Sequence, residues 1–266
     1  MSKPIKNIMK TSHKPKILFY DIETSPLRAW VWRMGEQRIG QHQLDVAYDQ
    51  YNIIALCYEW EHSSEKGQLD WGVTKKDSKK MVEKFTALCD EADIIIGKNN
   101  KRFDDKHLNT LRLIHDLPGR PDLMSKVDDL ESQIRRHFYL PSFGLDYLSK
   151  MLGFGGKDNM CMQDWIDIVE GSPEVAEKSL KKMIKYCSKD VSDTKKMWKA
   201  TSKHFQPKMN HSHFMNDLVC IHCGSRKIHK NGTRLLGKTL YQTYFCKEHG
   251  GYAGKVNLKA KKIILS

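Results

Sequence analysis

The run Lys16-Ile17-Leu18-Phe19-Tyr20-Asp21-Ile22-Glu23-Thr24 decides the reading of this chain. Residues 16–20 form a short apolar run, the pattern of a strand buried on both faces. The strand then delivers two acids, Asp21 and Glu23, spaced two apart. On a strand that spacing sends both side chains from one face, ~6 to 7 Å apart. Carboxylates so held repel one another unless cations sit between them. A two-metal site for phosphodiester chemistry uses this arrangement. A strand whose Asp-x-Glu-Thr only caps the next turn has the same spelling, so the pair alone leaves both readings open.

Outward from that strand, Arg28–Trp32, Asn52–Trp60 and, more weakly, Gln68–Val73 read as further strands of a meander. Thr74 opens a helical stretch to about Ala92, Asp93–Gly97 is the next strand, and Phe103–Leu117 the next helix. Residues 122–170 read as helix in pieces, broken at Pro141 and at Gly153, Gly155 and Gly156. Pro173 starts a long helix to about Phe205, whose Leu180, Met183, Ile184, Cys187, Val191 and Trp198 share one face. This order predicts an α/β fold, a mixed sheet flanked by helices, over residues 16–205. A basic arm (1–15) precedes it, and a linker (206–215) with Pro207 leads to a small C-terminal unit (216–266).

The length of 266 residues suits a medium domain plus a small one. No apolar run approaches the ~18 residues of a membrane span, and the lysine-rich start lacks the apolar core of an export signal. A cytoplasmic place is expected, whether the chain is cellular or phage-encoded. The net charge of +13 is unevenly spread: residues 1–16 contribute +5, residues 216–266 contribute +8, and 17–215 carry thirty bases against thirty acids. Basic ends around a neutral middle point first to nucleic acid as partner. Solubilising tails are the plainer alternative.

Two further elements carry acids. Asn99-Asn100-Lys101-Arg102-Phe103-Asp104 follows the apolar strand at 94–96 and opens a helix. On the long helix, Tyr186 and Asp190 are four apart, which stacks the phenol over the carboxylate on the shoulder of the apolar face. The order Asp-x-Glu, Asn-x3-Phe-Asp and Tyr-x3-Asp resembles the DEDD 3'-5' exonuclease superfamily. The tyrosine spacing matches its DEDDy branch, which includes proofreading domains of family B DNA polymerases and bacterial ribonuclease H-like exonucleases. Leu140-Pro141-Ser142-Phe143-Gly144-Leu145-Asp146 followed by Gly156-Lys157 resembles the bacterial group, and the likeness covers about residues 15–204. The histidine subtype would need its base at position 185, which is Lys185.

The resemblance implies a ribonuclease H-like sheet and two catalytic Mg²⁺ or Mn²⁺ ions. Asp21 would bridge them, Glu23 and Asp190 would complete one site, and Asp104 would serve the other. Tyr186 would orient the attacking water, since a phenol that ionises near 10 is a poor base at neutral pH. Asp105 and Asp193 compete for these roles. Asp105 is turned ~100° from Asp104 on a helix, so the two cannot both face the metals. Asp193 stays as an alternative on the shoulder of Asp190. His107, His115 and His137 read as surface or satisfied histidines.

Of seven cysteines, Cys57, Cys89, Cys161 and Cys187 read as reduced core thiols. Cys220-Ile221-His222-Cys223-Gly224 and Cys246-Lys247-Glu248-His249-Gly250 are two knuckles, each ended by a glycine that permits a tight turn. Between them Lys230-Asn231-Gly232-Thr233 reads as a turn and Tyr241–Phe245 as a strand. This resembles a zinc ribbon, with Cys220, Cys223, Cys246 and His249 closing a structural Zn²⁺ tetrahedron. His222 and His229 are the other histidines in reach. Similar ribbons in transposases and phage proteins bind nucleic acid.

The expected function is a metal-dependent 3'-5' exonuclease with a basic zinc ribbon, single-stranded DNA favoured over RNA. The alternatives are an RNA-trimming exonuclease, a structure-selective endonuclease, and a non-catalytic nucleic-acid-binding module. A protein partner for the ribbon is also open. No membrane partner is expected.

Overall fold

The computed structural model describes residues 13–45, 52–63, 65–72, 77–156, 159–215 and 217–259. Most of the basic arm, Val73, Thr74, Lys157 and the lysines at 261 and 262 lie outside the described residues.

The first sheet contains β1 (Ile17–Thr24), β2 (Ile53–Trp60), β3 (Lys66–Asp70), β4 (Ile94–Gly97) and β5 (Val127–Asp129). Their spatial order is β3-β2-β1-β4-β5. β1, β2 and β3 form the antiparallel meander, and β4 and β5 run parallel to β1. Helices α1 (Ser78–Glu91), α2 (Asp104–Ile114), α3 (Pro121–Lys126), α4 (Leu130–His137), α5 (Leu145–Met151), α6 (Met162–Glu170) and α7 (Pro173–Thr201) cover both faces. A five-stranded mixed sheet in this order, flanked by helices, is consistent with a ribonuclease H-like α/β fold.

Alternation along β1 divides the core between the two faces. Leu18, Tyr20 and Ile22 point toward α1 and α2, where they meet Val82, Phe85 and Leu108. Ile17 and Phe19 point toward α7, against Cys187, Val191 and Trp198. Each fully buried side chain of this size contributes roughly 1.5 to 3 kcal/mol. The odd-numbered face then turns acidic at Asp21 and Glu23, so α7 lies over apolar residues at one end of β1 and carboxylates at the other.

The structure departs from sequence expectation in several elements. Arg28–Trp32 is not a strand; within it, Ala29 makes an isolated antiparallel bridge to Leu44. β1 is already paired on both sides, so the aromatic run that follows finds no free sheet edge beside it. β5, three residues long, emerges from the stretch read as helical. Cys161 is exposed, while Cys57, Cys89 and Cys187 are buried.

The C-terminal unit is an antiparallel sheet of β6 (Ile228–Leu236), β7 (Thr239–Cys246) and β8 (Gly251–Asn257). Asn231-Gly232 is a bulge within β6, where the register shifts between Lys230 and Thr233. Gly232 takes a φ of 77°, and the Thr243 hydroxyl donates to the Asn231 and Gly232 carbonyls, which holds the bulge against β7. The chain reverses instead around Gly237, at a φ of 59°. Residues 206–215, expected as a linker, carry a short 3-10 turn (His211–Phe214) that packs on the core. His211 is buried and stacks on Trp198 at 6.5 Å, and its backbone N–H donates to the Ile221 carbonyl.

Candidate acidic site and Cys3His cluster

At the end of β1, one ligating atom from each of Asp21, Glu23 and Cys187 falls within 4.8 Å of the others. Strand alternation supplies the two carboxylates, and the apolar stripe of α7 supplies the thiol. Cys187 was legible as a core residue; its Sγ lies 3.4 Å from the Asp21 carbonyl and 3.8 Å from Asp21 Oδ2. Burial, followed by the neighbouring Cys57 and Asp21, pushes this thiol far up, so it stays protonated.

Asp104 is tied to the same end of β1, and neither it nor Asp190 belongs to that group of three. The Ile22 backbone N–H, between the two β1 acids, donates to Asp104 Oδ1 at 3.2 Å. Asp104 opens α2 and is buried. Burial first, and the Asp21 carboxylate second, push its carboxyl well above the usual range. Asp190 lies one turn beyond Cys187 on α7 and is also buried. Tyr186 is half-buried, its ring edge-on to Trp165 of α6 at 6.4 Å.

The competing acids have other partners. Asp105 points to the opposite face of the sheet and accepts the Tyr20 hydroxyl at 2.6 Å. Asp193 is held by Lys189 at 3.1 Å and Lys196 at 2.9 Å. Two acids that sequence reading did not single out, Asp128 and Asp129, are buried on β5. Asp129 caps α4 through the Ser132 N–H and also accepts from Lys101 N, and Asp128 accepts from Gln133. These bonds give both a structural task. The three weighed histidines are packed or paired: His107 on Phe103, His115 with Ser78, and His137 on Phe205.

In the C-terminal unit, Cys220, Cys223, Cys246 and His249 place their ligating atoms within 4.8 Å of one another. Individual separations are 3.4 Å from Cys220 Sγ to His249 Nδ1, 3.7 Å between Cys223 and Cys246, and 3.9 Å from Cys223 to His249 Nδ1. A tetrahedral ion with ~2.3 Å bonds to sulfur has ligand-to-ligand edges of about 3.8 Å. The four residues therefore fit a metal ion such as zinc. Gly224 and Gly250 close the knuckles, each at positive φ, and each donates its N–H back to the leading cysteine's carbonyl. The His222 N–H points at Cys220 Sγ, 3.4 Å away. His222 itself is buried with its ring 4.8 Å from that of His249, and His229 is exposed; neither belongs to the cluster.

No protein-family model matches the chain, and no curated protein resembles it in sequence. Among solved structures, it is similar to the family B DNA polymerase from the hyperthermophilic archaeon Pyrobaculum calidifontis, with a TM-score of 0.47 and 14% identity over 70% of this chain. The matched region spans 24% of that polymerase.

Among the described residues, no helix is long and apolar enough to cross a membrane.

Proposed function

We propose that this protein is a metal-dependent 3'-5' exonuclease that hydrolyses phosphodiester bonds of nucleic acid, with single-stranded DNA as its favoured substrate. The observation that carries this reading is the end of β1, where Asp21 and Glu23 crowd together beneath α7 with Asp104 hydrogen-bonded between them. A set of four carboxylates, with the neighbouring Cys187 thiol protonated and left out of it, suits hard divalent cations. Asp21, Glu23, Asp104 and Asp190 would hold Mg²⁺ or Mn²⁺. Such ions, when bound, neutralise phosphate charge and make water a stronger nucleophile.

The chain's own part is positioning. β1 fixes two carboxylates on one face, α2 presents a third through a backbone N–H, and α7 carries the fourth. The protonated Cys187 thiol lies against Asp21, within reach of both its backbone carbonyl and its carboxylate. Tyr186, wedged against Trp165, is the group we assign to orient the attacking water. In the same reading Cys220, Cys223, Cys246 and His249 bind one structural Zn²⁺, since so small a sheet cannot build a sufficient core alone. We read the α/β body as the chemical unit and the basic ribbon, residues 216–266, as the unit that adds affinity for nucleic acid.

A gel with 5'-labelled DNA and RNA oligonucleotides, with Mg²⁺, Mn²⁺ or chelator, tests it. The expected result is a ladder shortening from the 3' end, stronger on DNA, absent with chelator and reduced by orders of magnitude in Asp21→Asn. Tyr186→Phe should be milder, because the packing against Trp165 remains. Undiminished Mg²⁺-dependent cleavage by Asp21→Asn, or products cut only internally, would overturn the reading.

A further inference from the structure

Immediately beyond the acidic end of β1 the chain runs Leu27-Arg28-Ala29-Trp30-Val31-Trp32-Arg33-Met34. Trp30 is 73% exposed, and Trp32 and Met34 are each 98% exposed. A single exposed apolar side chain is ordinary, but a contiguous run with two tryptophans marks an interaction surface. The base of this loop is built. The Trp30 N–H donates to the Gln43 carbonyl at 2.8 Å, the Asp45 N–H donates to the Arg28 carbonyl at 3.0 Å, and Ala29 bridges Leu44. Arg28 also pairs with Glu170 at the end of α6. The tryptophans are therefore presented from a fixed stem.

We propose that this loop is a base-stacking platform for single-stranded nucleic acid, with Trp30 and Trp32 as the stacking surfaces. The proposal rests on the nuclease reading for the position of the substrate, and it names how the strand is held. Two features select the occupant. Arg33 and Arg38 are exposed on the same loop just after the tryptophans and outnumber its one exposed acid, Glu36, so cationic groups stand beside aromatic faces, the combination that tracks a phosphate backbone and its bases together. The platform also follows the acidic end of β1 closely along the chain. No more than ~25 Å of chain separates Glu23 from Trp30. A pocket of about 290 Å³ lined by Thr24, Ser25, Pro26, Met162 and Trp165 lies at the end of β1, and Trp165 meets Tyr186. A strand whose 3' end sits at the carboxylates can thus lay its upstream bases on the loop.

The test uses the full chain in the Asp21→Asn background, so that the probe survives. Binding of a fluorescent dT oligomer of ~16 nucleotides is followed against salt, for the parent and for Trp30→Ala/Trp32→Ala. The double variant should bind about 30-fold more weakly or worse, the equivalent of two lost base stacks, with an unchanged log-log salt slope because stacking releases no counterions. An abasic oligomer of the same length should bind parent and variant alike. Trp30→Phe/Trp32→Phe should recover most of the affinity. Both positions are exposed, so matching circular dichroism and melting should show an intact fold.

Equal affinity of parent and double variant would overturn the platform. So would an equal loss on the abasic oligomer, or a tryptophan-dependent dimer in sedimentation with oligonucleotide affinity unchanged. Cleavage is scored separately with native Asp21. Tryptophan-dependent binding without any cleavage would remove the nuclease reading and leave the platform, and cleavage with tryptophan-independent binding would do the reverse.

Discussion

Replacing Asp21 by Asn should make the protein inactive and, in the absence of added divalent ions, more stable. Ligating oxygens of Asp21 and Glu23 come within 4.8 Å. At an effective dielectric of ~20, unit charges at that separation repel by about 3.5 kcal/mol. Both side chains are only half-buried, and solvent screening reduces the recoverable part to roughly 1 to 2 kcal/mol. Asp104 adds to the crowding, since Asp21 helps push its carboxyl upward. Asparagine keeps the shape and the hydrogen-bonding edge while removing one charge. For a chain of this size the gain should raise the melting midpoint by ~2 to 8 °C.

The effect of Mg²⁺ should run the other way. Cation binding to the native carboxylates stabilises the wild type by about 2.7 kcal/mol at a hundredfold excess over the dissociation constant. Asp21→Asn should lose most of that increment. The assay is thermal unfolding of both proteins in buffer depleted of divalent ions by resin, with and without Mg²⁺. A chelator is avoided because it would also strip the cysteine cluster. A lower midpoint for the variant without Mg²⁺, or an equal Mg²⁺ increment in both proteins, would refute the idea that the end of β1 is an electrostatically strained cation site.

Three further outcomes are expected. Elemental analysis of protein purified without chelator should give one zinc per chain. Cys246→Ser should lose the metal, and the C-terminal sheet should open before the α/β core; retention of a full zinc complement would contradict the tetrahedron. Charge reversal of the exposed Lys230, Arg234 and Lys238 should flatten the log-log salt slope of single-strand binding by about 2 if each meets a phosphate, and an unchanged slope would point the ribbon toward a protein partner. Burial holds His211 down at about 4, with Glu61 opposing and His62 adding to the shift, and His222 also facing it. The unfolded chain therefore takes up a proton near pH 6.5 that the folded chain refuses until about pH 4, so stability should fall across that window as pH drops, by roughly 3 kcal/mol in all. His211→Phe should flatten this dependence in urea titrations; a parallel curve would show that the acid sensitivity resides elsewhere.

What could be read from the sequence follows from how far each signal depends on partners elsewhere in the chain. The acidic end of β1 was legible because strand alternation is local: Asp21 and Glu23 must share a face wherever the strand lies. The apolar face of α7 was legible for the same reason, through its helical spacing. Asp104 and Asp105 could be separated only in part. Helical rotation says that they diverge, but the Tyr20 hydroxyl that occupies Asp105 comes from the other side of the sheet. The run at residues 28–32 has strand composition, yet a strand needs an edge, and the edges of this sheet are β3 and β5. β5 escaped notice because three residues are too few to show a period. Asn231-Gly232 is a turn signal by composition. In the fold, the Thr243 hydroxyl across the ladder holds it as a bulge, and the reversal moves to Gly237. The histidine-rich stretch before the ribbon misled most, because histidine reads as polar in sequence. A neutral imidazole stacked on Trp198 is a packing group, and its uncharged state is set by a burial that no local pattern encodes. The seam between core and ribbon is thus built from residues whose protonation depends on the contact they form, which is why it should be an acid-sensitive part of the molecule.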